Sequence, residues 1–269
     1  MEAHGKNHQK TAPKVIAIIP ARLHSTRLEG KLLLPLNGKP LILHTLEQAK
    51  KARNINKVIV ATDSEKILKI ILASGNEAVL TSEKHQSGSD RIAEVALKLP
   101  ENSIIVNVQG DEPTISPKTI EAAVEAILGD ETIDIATTCE KIINLNDVLS
   151  PDVVKVVTDK NNFALYFSRS PIPFPREAVK MFGSLENALR EDENLISLYR
   201  KHTGLYVYRR EYLLKFTKFE QTILEKTEML EQLRALENGA RIKVVEVSES
   251  SIGVDTAEDF ERVKMYLGV

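Results

Sequence analysis

Residues Lys14–Lys31 read KVIAIIPARLHSTRLEGK. Val15 to Ile19 is an unbroken β-branched and apolar run with no polar alternation, the pattern of a strand covered on both faces, and such strands belong to parallel sheets. Three fixed positive charges follow within a dozen residues: Arg22, Arg27 and Lys31. The loop is not a Walker A phosphate loop, because Ser25 stands where glycine would be needed and Leu32 follows the Gly30–Lys31 pair in place of Ser or Thr. Any anion it holds would meet Arg forks, a Lys point charge and backbone N–H groups. Taken alone, the loop also reads as a solvated basic turn. Its place behind the first strand of a parallel sheet favours ligand binding, since such sheets take ligands beyond the carboxyl ends of their strands.

Outward from that stretch the same alternation continues. KVIVAT, EAVLT, SIIVNVQ and DIATT read as further strands. KPLILHTLEQAKKA, SEKILKIILASG, SDRIAEVALKL and SPKTIEAAVEAIL read as helices, with Pro40 set for a first turn and Ser64, Ser89 and Ser116 near their starts. Repeated βα units predict an α/β fold with a mostly parallel sheet flanked by helices. After Pro151 the pattern changes: VVKVVTD, FALYFSR, TGLYVYR and ARIKVVEV predict strands of a mixed sheet around an inserted lobe. The charged stretch Glu177–Arg200 reads as a solvated surface excursion. Thr256 and Asp259 have capping-box spacing ahead of a last helix.

Bulk composition narrows the function. The 269 residues, 42% hydrophobic, suffice for one large domain, and 36 Lys+Arg against 38 Asp+Glu leave a net charge of −2. No global field attracts nucleic acid or an acidic membrane, so an anion site must be built locally. A lone cysteine, Cys139, excludes a disulfide framework and a Cys-based metal centre and fits a reducing compartment. No run is long and apolar enough to span a membrane, and the N-terminus lacks a signal-peptide core. The expectation is a cytoplasmic protein with residues 1–13 as a flexible tail and residues 14–269 as one domain.

Two carboxylate positions carry the chemistry. IIVNVQGDEP (Ile104–Pro113) delivers Gln109, Asp111 and Glu112 at the carboxyl end of a strand. Carboxylates there repel a polyphosphate unless a hard cation lies between, which makes Asp111 a candidate Mg²⁺ ligand. The same stretch also reads as a turn that merely ends a strand. Asp255 in GVDTAED reads locally as a helix-capping residue, and becomes a second ligand because a metal site needs one and no His or Cys cluster offers an alternative. His85, Ser87 and Arg91, then Arg169, His202 with Tyr206, and Glu231 with Gln232 lie beside apolar structure. If they converge, they would make a site for an acidic, polyhydroxylated substrate, with Arg for a carboxylate and the others for hydroxyls.

Taken together, IPARLHSTRLEGK, SEKHQSGSDRIAEV, NVQGDEP, VVKVV, ALYFSRSPIPF, HTGLYVYR, LEQLRALENG and GVDTAEDFERV resemble the 3-deoxy-D-manno-octulosonate (Kdo) cytidylyltransferases from about Lys14 to the C-terminus. The resemblance implies a nucleotidyltransferase-type, Rossmann-like fold whose lobe at about 160–215 serves the sugar site and dimerisation. It implies a homodimer that makes CMP-Kdo and pyrophosphate from CTP and Kdo with Mg²⁺, for lipopolysaccharide synthesis. By the same resemblance Arg22 and Lys31 hold the triphosphate, with Ser25 and Arg27 beside them, and Ser82, His85 and Gln109 lie near the nucleotide. Asp111 and Asp255 match the metal ligands, and Arg91, Gln109, Arg169, His202, Tyr206, Glu231 and Gln232 match sugar-site positions. Glu29 departs from the family's usual proline in TRLPGK. An 8-amino-Kdo or sialic acid substrate, and a silent sugar-nucleotide binder, are the alternative readings.

Overall fold

Val15, Ala17 and Ile19 pack into one buried layer and Ile16 and Ile18 into another, so the opening run is enclosed on both faces. In the computed structural model, which describes residues 12–24, 27–249 and 251–269, it forms β1 (Val15–Ala21). A small antiparallel ribbon follows, β2 (Pro35–Leu36) with β3 (Lys39–Pro40). The other strands are β4 (Lys57–Thr62), β5 (Glu77–Leu80), β6 (Ile104–Asn107), β7 (Ile135–Lys141), β8 (Lys155–Thr158), β9 (Ala164–Ser168), β10 (Arg200–Arg209) and β11 (Ile242–Glu246).

Among the described residues the main sheet runs β11-β7-β10-β6-β1-β4-β5, with β8 paired to β10 and β9 to β8. β1 is parallel to β4 and β6, β4 to β5, and β7 to β11. β10 alone enters the middle antiparallel to both neighbours, β6 and β7. Helices Leu41–Lys51, Glu65–Ala73, Gly88–Ala96 and Pro117–Gly129 fill the crossovers. The apolar layers they cover are the two faces of the sheet, which makes the architecture a mostly parallel mixed sheet flanked by helices.

Pro40 stands at the N-cap of Leu41–Lys51, one residue before the turn it was expected to enter, and the serine and threonine caps follow the sequence with one correction. Ser64 and Ser116 cap their helices, and Thr256 and Asp259 form the expected box ahead of Ala257–Leu267. The third helix is capped by Ser87, boxed with Asp90. Ser89 lies inside its first turn, and its hydroxyl donates to Glu231 instead. The charged stretch also departs from expectation. Helix Arg176–Phe182 buries no residue, in keeping with a solvated excursion, but helix Leu185–Glu191 and the turn Glu193–Leu198 do not stay on the surface. Leu189, Ile196 and Tyr199 pack with Ile142 and Val148 into a small separate core.

Two glycines shape the ligand edge. Gly30, at φ 63°, takes the left-handed conformation that opens the turn carrying Lys31. A Cβ on Gly110 would stand 3.0 Å from the Pro20 carbonyl oxygen and 3.4 Å from Leu32, so only glycine lets the ends of β1 and β6 close up.

Candidate active site

β1 and β6 are parallel neighbours, so their carboxyl ends open on one edge. Arg22 follows the first and Gln109, Gly110, Asp111 and Glu112 follow the second. The segment after β11 is stitched to that edge: Val254 N–H donates to the Asp111 carbonyl at 2.9 Å, and Ile252 N–H to Thr114 Oγ1 at 2.8 Å. Ser251 Oγ donates to Glu112 Oε2 at 2.9 Å. This stitching brings Asp255, 144 positions along the chain from Asp111, to the same point.

The result is a cavity of about 520 Å³ lined by Arg22, Arg27, Lys31, His85, Arg91, Gln109, Asp111, Glu112 and Asp255 together with Pro20, Ser87, Gly110 and their neighbours. At its floor, Lys31 Nζ lies 2.5 Å from Asp111 Oδ2 and 2.7 Å from Asp255 Oδ1. Arg27 Nη2 adds a contact to Asp255 Oδ2 at 2.8 Å. Burial, with Asp111 beside it, pushes the Glu112 carboxyl up to about 7. No group of three or more His, Cys, Asp or Glu side chains suited to a metal occurs among the described residues. Two convergent carboxylates nonetheless suit Mg²⁺, which takes one or two of them together with substrate phosphates, and the Lys31 ammonium already marks a cation position between them.

Other expected residues stand as follows. Ser25 lies outside the described residues. Ser82 is exposed and does not line the cavity; its N–H donates to Glu94 Oε2, which also meets His85 Nε2 at 2.5 Å. Those bonds, the Ser82 N–H first, hold the Glu94 carboxyl below its ordinary value and fix the loop that carries His85. Arg91 borders the cavity, but its guanidinium is engaged elsewhere, by Asp63 Oδ2 and Thr81 Oγ1 at 2.6 Å each. It braces the strand ends of β4 and β5. Glu29, the departure from the family's proline, is exposed.

Arg169, His202, Tyr206, Glu231 and Gln232 do not line this cavity. His202 and Tyr206 lie together on β10 with ring centroids 5.4 Å apart, and Gln109 reaches the Gly204 carbonyl between them. Glu231 accepts from Ser89 Oγ at 2.7 Å and Arg234 Nη2 at 2.6 Å, and burial raises its carboxyl above the usual range. Gln232, beside it, is buried. Arg169 is turned to main chain, its Nε donating to the Glu228 carbonyl and its Nη1 to that of Pro151. Sequence reasoning placed Glu112 at the ligand edge without giving it a role, and the structure makes it a lining residue of the cavity. Burial pushes the Cys139 thiol up to about 12, which leaves no nucleophile there.

His202 gives a pH prediction. Burial lowers its imidazole from 6.5 to about 3, while Nε2 meets Thr137 Oγ1 at 2.9 Å. The unfolded chain binds this proton below 6.5 and the folded one only near 3, so the stability is whole above 6.5 and is lost as pH falls between those values. Urea unfolding at pH 7.5 and 4.5 should show His202→Gln losing about 2 kcal/mol less than the parent on acidification. Equal losses in the two proteins would refute this account of the imidazole.

A family model described as cytidylyltransferase matches residues 16–242. A 3-deoxy-manno-octulosonate cytidylyltransferase of Geotalea daltonii is 50% identical over 250 residues, covering 93% of this chain and 96% of the relative. Its namesake in Trichlorobacter lovleyi is 49% identical over 251 residues, covering 93% and 97%. Among solved structures, CMP:2-keto-3-deoxy-manno-octonic acid synthetase complexed with CTP superposes with a TM-score of 0.84 at 38% identity, covering 95% of this chain and 98% of the other.

Proposed function

The chain belongs to the cytidylyltransferase family, in the company of its 3-deoxy-manno-octulosonate members, and we therefore propose that it transfers CMP from CTP to the anomeric hydroxyl of Kdo. The sugar hydroxyl attacks the α-phosphorus, the bond to the bridging oxygen breaks, and pyrophosphate leaves. No covalent enzyme intermediate is required, so the work of the site is alignment and neutralisation of charge. The observation that carries this reading is the meeting of Asp111 and Asp255 at one cation position, at the floor of a cavity that also holds Arg22, Arg27 and Lys31.

In this proposal Arg22 and Lys31 hold the triphosphate and offset the charge that builds on pyrophosphate. Asp111 and Asp255 would hold Mg²⁺, which would supply Lewis-acid neutralisation of phosphate charge at this point. Gln109, at the cavity edge and within reach of Gly204, links the nucleotide side to His202 and Tyr206 on the sugar side. Arg169 would have to turn from its main-chain partners to meet the sugar carboxylate. We also place the enzyme in the cytoplasm, supplying lipopolysaccharide synthesis, and no helix among the described residues is long and apolar enough to cross a membrane. A homodimer formed through the lobe near 160–215 is supported by the exposed Leu165, Phe174, Met181 and Leu198.

The test is pyrophosphate release from CTP and Mg²⁺ with Kdo, 8-amino-Kdo or N-acetylneuraminate, with the particle mass measured by light scattering on the same preparation. Release with Kdo alone, from a particle of twice the chain mass, is the expected result. Preference for the amino sugar would keep the mechanism and change the substrate. CTP binding without pyrophosphate release in the presence of any of the three sugars would replace the enzyme with a binder.

A further inference from the structure

Lys31 does more at this site than wait for phosphate. Its ammonium lies at the point where the two carboxylates converge, touching one oxygen of each, and its side chain is only 11% exposed. The left-handed Gly30 and the buried Leu32 fix the turn from which it reaches in. A divalent ion shared by Asp111 and Asp255 would need the same position, and two cations cannot share it without strong repulsion. One of them must leave. Lysine suits that exchange, being a compact charge on a flexible four-carbon stem, and a nucleotide's phosphates offer it a second anionic partner at the same cavity.

We propose that Lys31 is a built-in counter-ion that keeps divalent metal off Asp111 and Asp255 until the phosphates of a nucleotide draw its ammonium away. The inference rests on the reading of those two carboxylates as the metal ligands. It makes metal uptake conditional on nucleotide and leaves neither carboxylate unpaired in the free enzyme. Arg27, bonded to Asp255 and 63% exposed, plays the lesser part.

The test uses the full chain without nucleotide and Mn²⁺ as the metal, with free and bound ion read by electron paramagnetic resonance. Lys31→Met and Lys31→Gln should bind Mn²⁺ at least about tenfold more tightly than the parent, since removing the competing cation frees both carboxylates. Adding Asp111→Asn to either should abolish the gain. In the parent, saturating Mn²⁺ should raise acylation of the Lys31 amine in a pulse-labelling experiment read by mass spectrometry, a measurement that does not depend on any variant folding. If Lys31 variants bind no more tightly while Asp111→Asn weakens binding in all backgrounds, the carboxylates are ligands and the counter-ion proposal fails. If Asp111→Asn changes nothing in any background, the metal-site reading fails and takes the proposal with it. Mn²⁺ binding that requires Asp111 but leaves Lys31 labelling unchanged also overturns it.

Discussion

Asp111→Asn is expected to lower turnover about a thousandfold at saturating CTP, Kdo and Mg²⁺, a loss of about 4 kcal/mol of transition-state stabilisation. Asparagine is nearly isosteric, and the Asp111 main-chain carbonyl that accepts from Val254 N–H is untouched, so the edge keeps its shape. What is removed is one of the two negative charges that meet the Lys31 ammonium. The effect should fall on kcat more than on KM for CTP, because the proposed triphosphate partners Arg22 and Lys31 are retained while one of the two carboxylate charges of the proposed metal site is lost. Asp255→Asn should lose less, since its side chain is 42% exposed against 27% for Asp111 and solvent already screens it. Steady-state pyrophosphate release, with circular dichroism to check folding, measures both. Asp111→Asn turnover within threefold of the parent would remove Asp111 from the chemistry.

The parts of this site that the sequence disclosed are those encoded locally. The unbroken run at Val15–Ile19 announced a strand covered on both faces, and the polar residues at the ends of β1 and β6 announced a ligand edge, because strand direction alone decides where those ends lie. The Thr256–Asp259 box sits where four-residue spacing put it. What failed to show were partnerships set by packing. Nothing in the spelling of Lys31 reveals that it lies between carboxylates 80 and 224 positions away. Arg91 lines the cavity as expected of a site residue, but its bracing bonds to Asp63 and Thr81 come from packing that the sequence does not show. The insertion of β10 between β6 and β7 depends on a return through residues 176–199 whose charges hid a small core. There the signal was present but diluted: Leu185 and Leu189 recur at helical spacing, and Ile196 and Tyr199 follow three apart.

Lys155 is a charge inside the apolar run VVKVVTD, and its environment predicts a large stability effect. The side chain is fully buried. Its ammonium donates to the carbonyls of Ser150 at 2.8 Å, Val153 at 2.6 Å and Arg169 at 2.6 Å, which uses all three protons. Two effects oppose each other in Lys155→Met. Burial, with Arg169 as a lesser cause, lowers the lysine's proton affinity, so methionine relieves a desolvation cost. It also takes a donor from three carbonyls, at about 1–3 kcal/mol for each that is left unsatisfied and that water cannot reach, although the Ser150 carbonyl keeps the Val153 N–H at 3.3 Å. The second effect outweighs the first, because the Val153 and Arg169 carbonyls are stranded and only one charge is spared. The expected net loss is about 3 kcal/mol, which at this chain length lowers the melting temperature by roughly 6–12 °C. The damage should also have a direction. The Arg169 carbonyl loses its partner, so the end of β9, from which the Arg169 guanidinium reaches Pro151 and Glu228, loosens toward the proposed sugar side. KM for Kdo should therefore rise more than KM for CTP, whose proposed contacts lie across the sheet at β1 and β6. Differential scanning calorimetry and initial rates with each substrate varied in turn check both parts. A melting temperature within 2 °C of the parent would mean that water or main-chain rearrangement satisfies the three carbonyls, and equal rises in the two KM values would mean that Lys155 supports the fold as a whole and not the position of Arg169.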